Sequence, residues 1–222
     1  MATTTPSTQP TSTTAAGRAG PARFVRNGPS DRPRIAFTFH GSGDVGLLRE
    51  LLALAKNSHA PLTIFAVGTW LDANPAVADL IMGDGHELAN HTYTHPALGG
   101  LARTAVASEV TRCRDALARH AAAPGPWFRP SGIEVPTALI LEEAGRAGYP
   151  TVVGYDVDPR DYQDPGAAAV VDRVTAGLHA GAIVSLHTGH AGTVAAFERV
   201  VAAARQRGLE PVTVRDLLGV AR

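Results

Sequence analysis

His91 and His95 stand four residues apart in His-Thr-Tyr-Thr-His. On a helical turn that spacing brings two imidazoles to one side, where they can meet a single tetrahedral ion. Such pairs are common by chance, so their neighbours decide the matter. Asp44 is the nearest carboxylate in unit order to serve as a third ligand, and His40 lies just before it. Arg129 and His187 each close a short apolar run, and Asp156, Asp158 and Asp161 follow another. Singly, each has a plain explanation: an ion-pairing arginine, a satisfied core histidine, an Asx turn around Pro159. Jointly they suit the hydrolysis of an unreactive acyl bond. A bound Zn²⁺ lowers the pKa of its water to about 7 and polarises a carbonyl. A base takes the water's proton and an acid protonates the leaving nitrogen, a task for histidine when a carboxylate raises its pKa.

The elements that must hold these groups follow from hydrophobic patterning. β-rich runs are expected at 35–39, 62–67, 87–91, 127–129, 151–155, 182–187 and 211–214. Between them, Leu47, Leu48, Leu51, Leu52 and Ala55 form one helical stripe, and Val106, Val110, Cys113 and Leu117 form another. Asn74-Pro75 reads as a helix start, with Gly83 or Gly85 as its stop. Further helices are expected at 137–147, 167–178 and 194–207, with a short turn at 215–218. Repeated βα units imply a parallel sheet with helices outside, either a barrel or an open doubly wound sheet. The polar residues named above fall at the carboxyl ends of the strands, the face on which both architectures build their sites.

Composition narrows the chemistry. The 222 residues carry 20 Lys+Arg against 20 Asp+Glu, which argues against a general nucleic-acid binder. Nine His beside one Cys, Cys113, exclude an intramolecular disulfide framework and a Cys-rich zinc site. Residues 1–32 are expected to be a Thr/Ser/Pro-rich disordered segment and lead-in, and 33–222 to form one domain. The tract resembles a spacer behind a removed leader or anchor, which implies a secreted or surface protein, and no apolar run is long enough to span a membrane. Gly41-Ser-Gly-Asp-Val-Gly46 matches a dinucleotide fingerprint, but no acidic residue ends the next strand to bind a ribose hydroxyl.

Taken together, TFHGSGD (38–44), GHELANHTYTHP (85–96), WFRPSG (127–132), DVDPRDY (156–162) and SLH (185–187) resemble the five motifs of the NodB-type polysaccharide deacetylases, carbohydrate esterase family 4. The resemblance spans about residues 33–219 and implies a distorted (β/α)7 barrel. It also implies a divalent cation, usually zinc, and removal of acetyl groups from N-acetylated sugars of an extracellular glycan such as peptidoglycan or chitin, or from the O-acetyl groups of xylan. By motif position His91 and His95 resemble metal ligands, His187 the general acid, and Arg129 the residue that orients the base. Asp161 resembles the partner that tunes the acid, with Asp158 as second choice. Ser131 or Gly132 supplies an oxyanion N–H, and His86 supports the ligand loop. Where the family has TFDDG this chain has TFHGS, so Asp44 is expected as the third ligand through a looped-out Gly-Ser-Gly, with His40 as base or extra ligand. A binding relative without turnover and a small-amide hydrolase are the alternatives. A monomer is the default.

Overall fold

The computed structural model describes residues 20–221. Its strands are β1 (Arg23–Val25), β2 (Arg34–Gly41), β3 (Thr63–Ala66), β4 (Glu87–Asn90), β5 (Trp127–Phe128), β6 (Thr151–Val153), β7 (Ile183–His187) and β8 (Glu210–Pro211). Its helices are α1 (Val45–Asn57), α2 (Gly68–Ala73), α3 (Ala76–Gly83), α4 (Arg103–His120), α5 (Ala138–Arg146), α6 (Ala167–Gly177), α7 (Ala191–Gln206) and α8 (Val214–Leu218). All strand pairings are parallel, in the order β1-β6-β5-β4-β3-β2-β7, with β8 on the first residues of β2. After β6 the chain crosses to the far edge, where Val157 bridges to Val184 of β7. The result is the distorted (β/α)7 barrel that the motif resemblance implies, and not an open doubly wound sheet.

Every anticipated strand and helix is present, with ends moved by a few residues. Two elements were not anticipated. β1 pairs with β6 in register, Phe24 opposite Val152, so part of the stretch assigned to a lead-in belongs to the sheet. The Thr/Ser/Pro-rich residues 1–19 lie outside the described residues. Helix α2, only six residues long, opens on a glycine and carries too little periodicity to be read. Asn74 does not cap α3: its side chain donates to the Trp70 carbonyl and ends α2.

The two-residue period of a strand separates two cores. In β2, Ile35, Phe37 and Phe39 point outward into the helical layer, meeting Leu48, Leu51 and Phe197. Ala36 points inward with Phe65, Ala89, Trp127, Val153 and Ile183. The same alternation carries on to the strand ends. Thr38 and His40 share Ala36's side, Ala89 is followed on its side by His91, Trp127 by Arg129, and Ile183 by Ser185 and His187. The inner face is therefore apolar at mid-height and histidine-rich at its carboxyl end. At the other end α8 seals the barrel with Val214 and Leu217.

Candidate active site

Register brings the first pair together, since His40 lies opposite His187 in the β2–β7 ladder. Their rings stack with centroids 4.4 Å apart. On the other side His40 Nδ1 is 2.8 Å from His91 Nε2. The His91 and His95 rings meet at 4.8 Å. One ligand atom each from His40, His91 and His95 falls within 4.8 Å of the others, the only such trio of His, Cys, Asp or Glu among the described residues.

Their protonation fits a cation. Burial is the largest cause holding His40 and His91 well below the usual imidazole range, reinforced by His91 and His95 respectively and by the Arg129 guanidinium. Burial lowers His95 as well, with His187 adding to it. Neutral imidazoles are the ligand form. His91 Nδ1 donates to the Arg129 carbonyl at 2.9 Å, so its Nε2 keeps a lone pair directed at His40. Either His40 Nδ1 donates a proton to that lone pair, or both lone pairs face a shared cation. In the second arrangement His40 carries its proton on Nε2, where Ser185 Oγ accepts at 3.0 Å. A hydrogen bond on the far nitrogen is what fixes a ligand histidine's tautomer.

Asp44 is not brought to this group. Its carboxylate accepts from Leu47 N at 2.9 Å as the N-cap of α1. No loop is thrown out after β2, because the strand runs on to Gly41 and only Ser42 and Gly43 separate it from the cap. The first turn of a helix leaves N–H groups without partners, and aspartate is a favoured acceptor for them. His40 is the residue that stands with His91 and His95 instead. The same segment does not form a phosphate cradle: Ser42 N donates to Thr188 Oγ1, and a Cβ on Gly43 would stand 2.9 Å from Gly189 Cα.

His187 Nδ1 pairs with Asp161 Oδ1 at 2.8 Å. The other carboxylate oxygen accepts the His187 N–H at 2.8 Å and Thr193 Oγ1 at 2.6 Å. Asp161 is 1% exposed, so these contacts fix both it and the imidazole. Asp158 makes its own Asx turn, accepting from Arg160 N at 2.8 Å, and does not reach His187. Ser185 and Thr193 were not among the expected site residues. Ser185 was within reach, since it lies two residues before His187 on the same face of β7.

Arg129 is buried, with its charge spread over backbone. Nε and Nη2 donate to the Val153 and Gly154 carbonyls at 3.0 Å each, and the group sits 4.1 Å over the Phe65 ring. Nη1 lies 3.4 Å from His40 Nε2. Among the described residues no carboxylate lies within ion-pair distance, and burial pushes its pKa down to about 9. Arg129 thus braces His91 through its carbonyl, and its guanidinium sets a positive charge beside His40.

Ser131 Oγ joins Thr92 Oγ1 at 2.9 Å and the Pro96 carbonyl, tying the motif at 127–132 to the ligand loop. Gly132 has φ +64°, and a Cβ there would stand 2.7 Å from Ala97 Cα, so glycine is required for this close approach. His86 is the expectation the structure overturns by distance. It precedes β4, and its Nδ1 accepts from Leu62 N at 3.1 Å at the amino end of the barrel. With about 3.3 Å of rise per residue, the length of β4 separates it from His91.

A parallel barrel with three neutral imidazoles and a His–Asp pair at its carboxyl end has the makings of a metal-assisted hydrolase. The particular family is shown by comparison. Residues 27–152 match the model of the polysaccharide deacetylase family. The chain is 30% identical over 208 residues to a chitooligosaccharide deacetylase of Sinorhizobium fredii, covering 84% of this chain and 92% of that one. It is 29% identical to a peptidoglycan-N-acetylglucosamine deacetylase of Bacillus cereus over 86% of this chain and 90% of that one. A solved pseudoenzyme of carbohydrate esterase family 4 from Bacillus anthracis shares the fold, with a TM-score of 0.83 and 22% identity over 90% of this chain and 69% of that one. The chain belongs to the polysaccharide deacetylase family.

Proposed function

We propose that this protein removes acetyl groups from N-acetylglucosamine units of a chitin-like or peptidoglycan glycan, with His40, His91 and His95 holding a divalent cation. The observation that carries the reading is the meeting of these three imidazoles beside the His187–Asp161 pair. Three nitrogen ligands suit zinc, and a cation held there supplies Lewis acidity to the acetyl carbonyl and to water. His40, with Nδ1 turned to His91 and Nε2 donating to Ser185 Oγ, acts as a ligand and not as the base.

Proton transfer then falls to His187. Its Nδ1 is committed to Asp161, which leaves Nε2 for the substrate. Nε2 accepts the proton of the attacking water as the C–O bond forms. It delivers that proton to the sugar nitrogen as the C–N bond breaks, so acetate and a free amine leave. Asp161 stabilises the imidazolium between the two steps and fixes the ring. The N–H of Ser131 or Gly132 is assigned to the developing oxyanion, a role that needs position and no side chain. Action outside the cell fits the glycans named for the two relatives. Among the described residues no helix is long and apolar enough to cross a membrane.

A second reading, binding of metal and glycan without turnover, is favoured by one feature: among the described residues Arg129 faces no carboxylate, and of the site's four histidines only His187 has one. Acetate release from chitooligosaccharide and from N-acetylated peptidoglycan by the zinc-loaded protein decides between them. Release by the wild type and none by His91→Ala is expected. Zinc and glycan binding with no acetate would leave the second reading standing.

A further inference from the structure

The segment joining His91 to His95 has an unfavourable backbone. Thr92 has φ +66° and His95 φ +60°, and a β-branched residue in the left-handed region is costly. Such conformations persist only where the surroundings over-determine them. Here the surroundings converge on one side chain from another element. Glu109 lies on the buried face of α4, among Val106, Val110 and Cys113, and is 8% exposed. Its Oε2 accepts the N–H groups of Tyr93 and Thr94 at 2.9 and 2.8 Å, and its Oε1 accepts Thr94 Oγ1 at 2.7 Å. From outside, the Thr92 and Tyr93 carbonyls accept the N–H groups of Gly68 and Thr69 at 3.0 and 2.9 Å.

We propose that Glu109 is the positioning residue of the metal site, holding the Tyr93–Thr94 backbone so that His91 and His95 converge on one ion. This rests on the assignment of His91 and His95 as ligands. The argument is one of geometry. Three bonds from one rigidly packed carboxylate to two successive residues fix the chain midway between the two histidines. Freed of them, the segment can relax its positive φ angles and carry His95 away from His91. A buried carboxylate is costly unless its oxygens are used, and among the described residues these are used on the loop and nowhere else. Glu109 touches neither substrate nor ion in this scheme.

The test compares Glu109→Ala with Glu109→Gln in the full chain, reading zinc affinity by competition with a chromophoric chelator and the melting temperature of the zinc-free protein. Glutamine has the same shape, accepts both N–H groups through Oε1 and donates to Thr94 Oγ1 through its amide. The alanine variant is expected to bind zinc about 10- to 100-fold more weakly, the usual range for outer partners of metal ligands, with affinity restored in the glutamine variant. If Glu109→Ala melts lower but binds zinc as the wild type does, the residue is only packing and the proposal fails. It fails equally if glutamine loses as much affinity as alanine, since charge and not position is then at work. Should the alanine variant not fold, Glu109→Asp, with its carboxylate drawn back by one methylene, is read in its place. A wild type that binds no zinc, or binds it no better than His91→Ala, overturns the ligand assignment and this proposal together. A deficient His91→Ala beside an unaffected Glu109→Ala overturns this proposal alone.

Discussion

The two ends of the barrel hold buried polar clusters of opposite character. At the amino end Glu87 accepts from Trp127 Nε1 at 2.7 Å and Thr63 Oγ1 at 3.1 Å, and Arg215 Nε lies 3.3 Å from its carboxylate. Helix α8 closes over the group, and His86 Nε2 is its one buried nitrogen without a partner. At the carboxyl end His91, His95 and His187 gather with His40, and a buried arginine faces no carboxylate among the described residues. Apart from His86 Nε2, the first cluster spends its donors and acceptors on the fold. The second keeps imidazole lone pairs uncommitted and a positive charge without a counter-charge, a state that folding alone does not favour. The difference separates structure from function: alterations below should lower stability and spare zinc, and alterations above should do the reverse.

The largest effect is expected from His91→Ala, which removes the histidine braced by Arg129. Zinc content should fall from near one per chain to near zero, with acetate release lost and the zinc-free melting temperature nearly unchanged. Metal analysis beside thermal denaturation checks both. Next come His187→Asn and Asp161→Asn. Removal of a general acid–base group lowers turnover by about 10²–10⁴-fold, and zinc content should hold. Loss of zinc in either variant would erase the division between ligands and proton carrier.

At the amino end, Glu87→Ala leaves the Arg215 and Trp127 donors without their acceptor, a loss of about 2–4 kcal/mol in urea unfolding. Zinc affinity should not change. Burial raises the Glu87 pKa above its ordinary value, chiefly by disfavouring the charged form. The folded state therefore binds this proton more tightly than the unfolded state does. Its contribution is full below the unfolded carboxyl pKa and is lost as pH rises through the raised one. Glu87→Gln, which does not titrate, should flatten that part of the stability–pH curve. A wild-type curve that rises in this window relative to Glu87→Gln contradicts the direction.

Much of this contrast can be read from residues alone, because strands obey a period of two. Once 35–39 and 182–187 are recognised as strands, the inward turn of His40 and His187 follows from Ala36 and Ile183. Placing His40 against His187 does not follow, since it depends on the β2–β7 register, set by packing across 147 residues of chain. β1 was hidden for a related reason: three residues show no period, and their strand character comes from pairing with β6. Glu109 did leave a signal, an acid on the apolar stripe of α4 between Val106 and Cys113. His86 misled because nearness in sequence to His91 is distance along an extended strand.

Asp44 gives the smallest effect and the sharpest check on the third ligand. Read as a sequence, a carboxylate just beyond a histidine-bearing strand end suits a metal, and the same residue suits the start of the next helix equally well. The structure gives it to the helix. Asp44→Ala should cost about 1 kcal/mol, the usual value of an N-cap, while Asp44→Asn, also a good cap, should cost almost nothing. Neither should alter zinc affinity if the proposed ligand set of His40, His91 and His95 is correct. A zinc defect in Asp44→Asn without a change in stability would return the carboxylate to the ligand set and free His40 for proton transfer. The two ends of the barrel would then differ less than their hydrogen bonding implies, since a residue now used only for the fold would be serving the site.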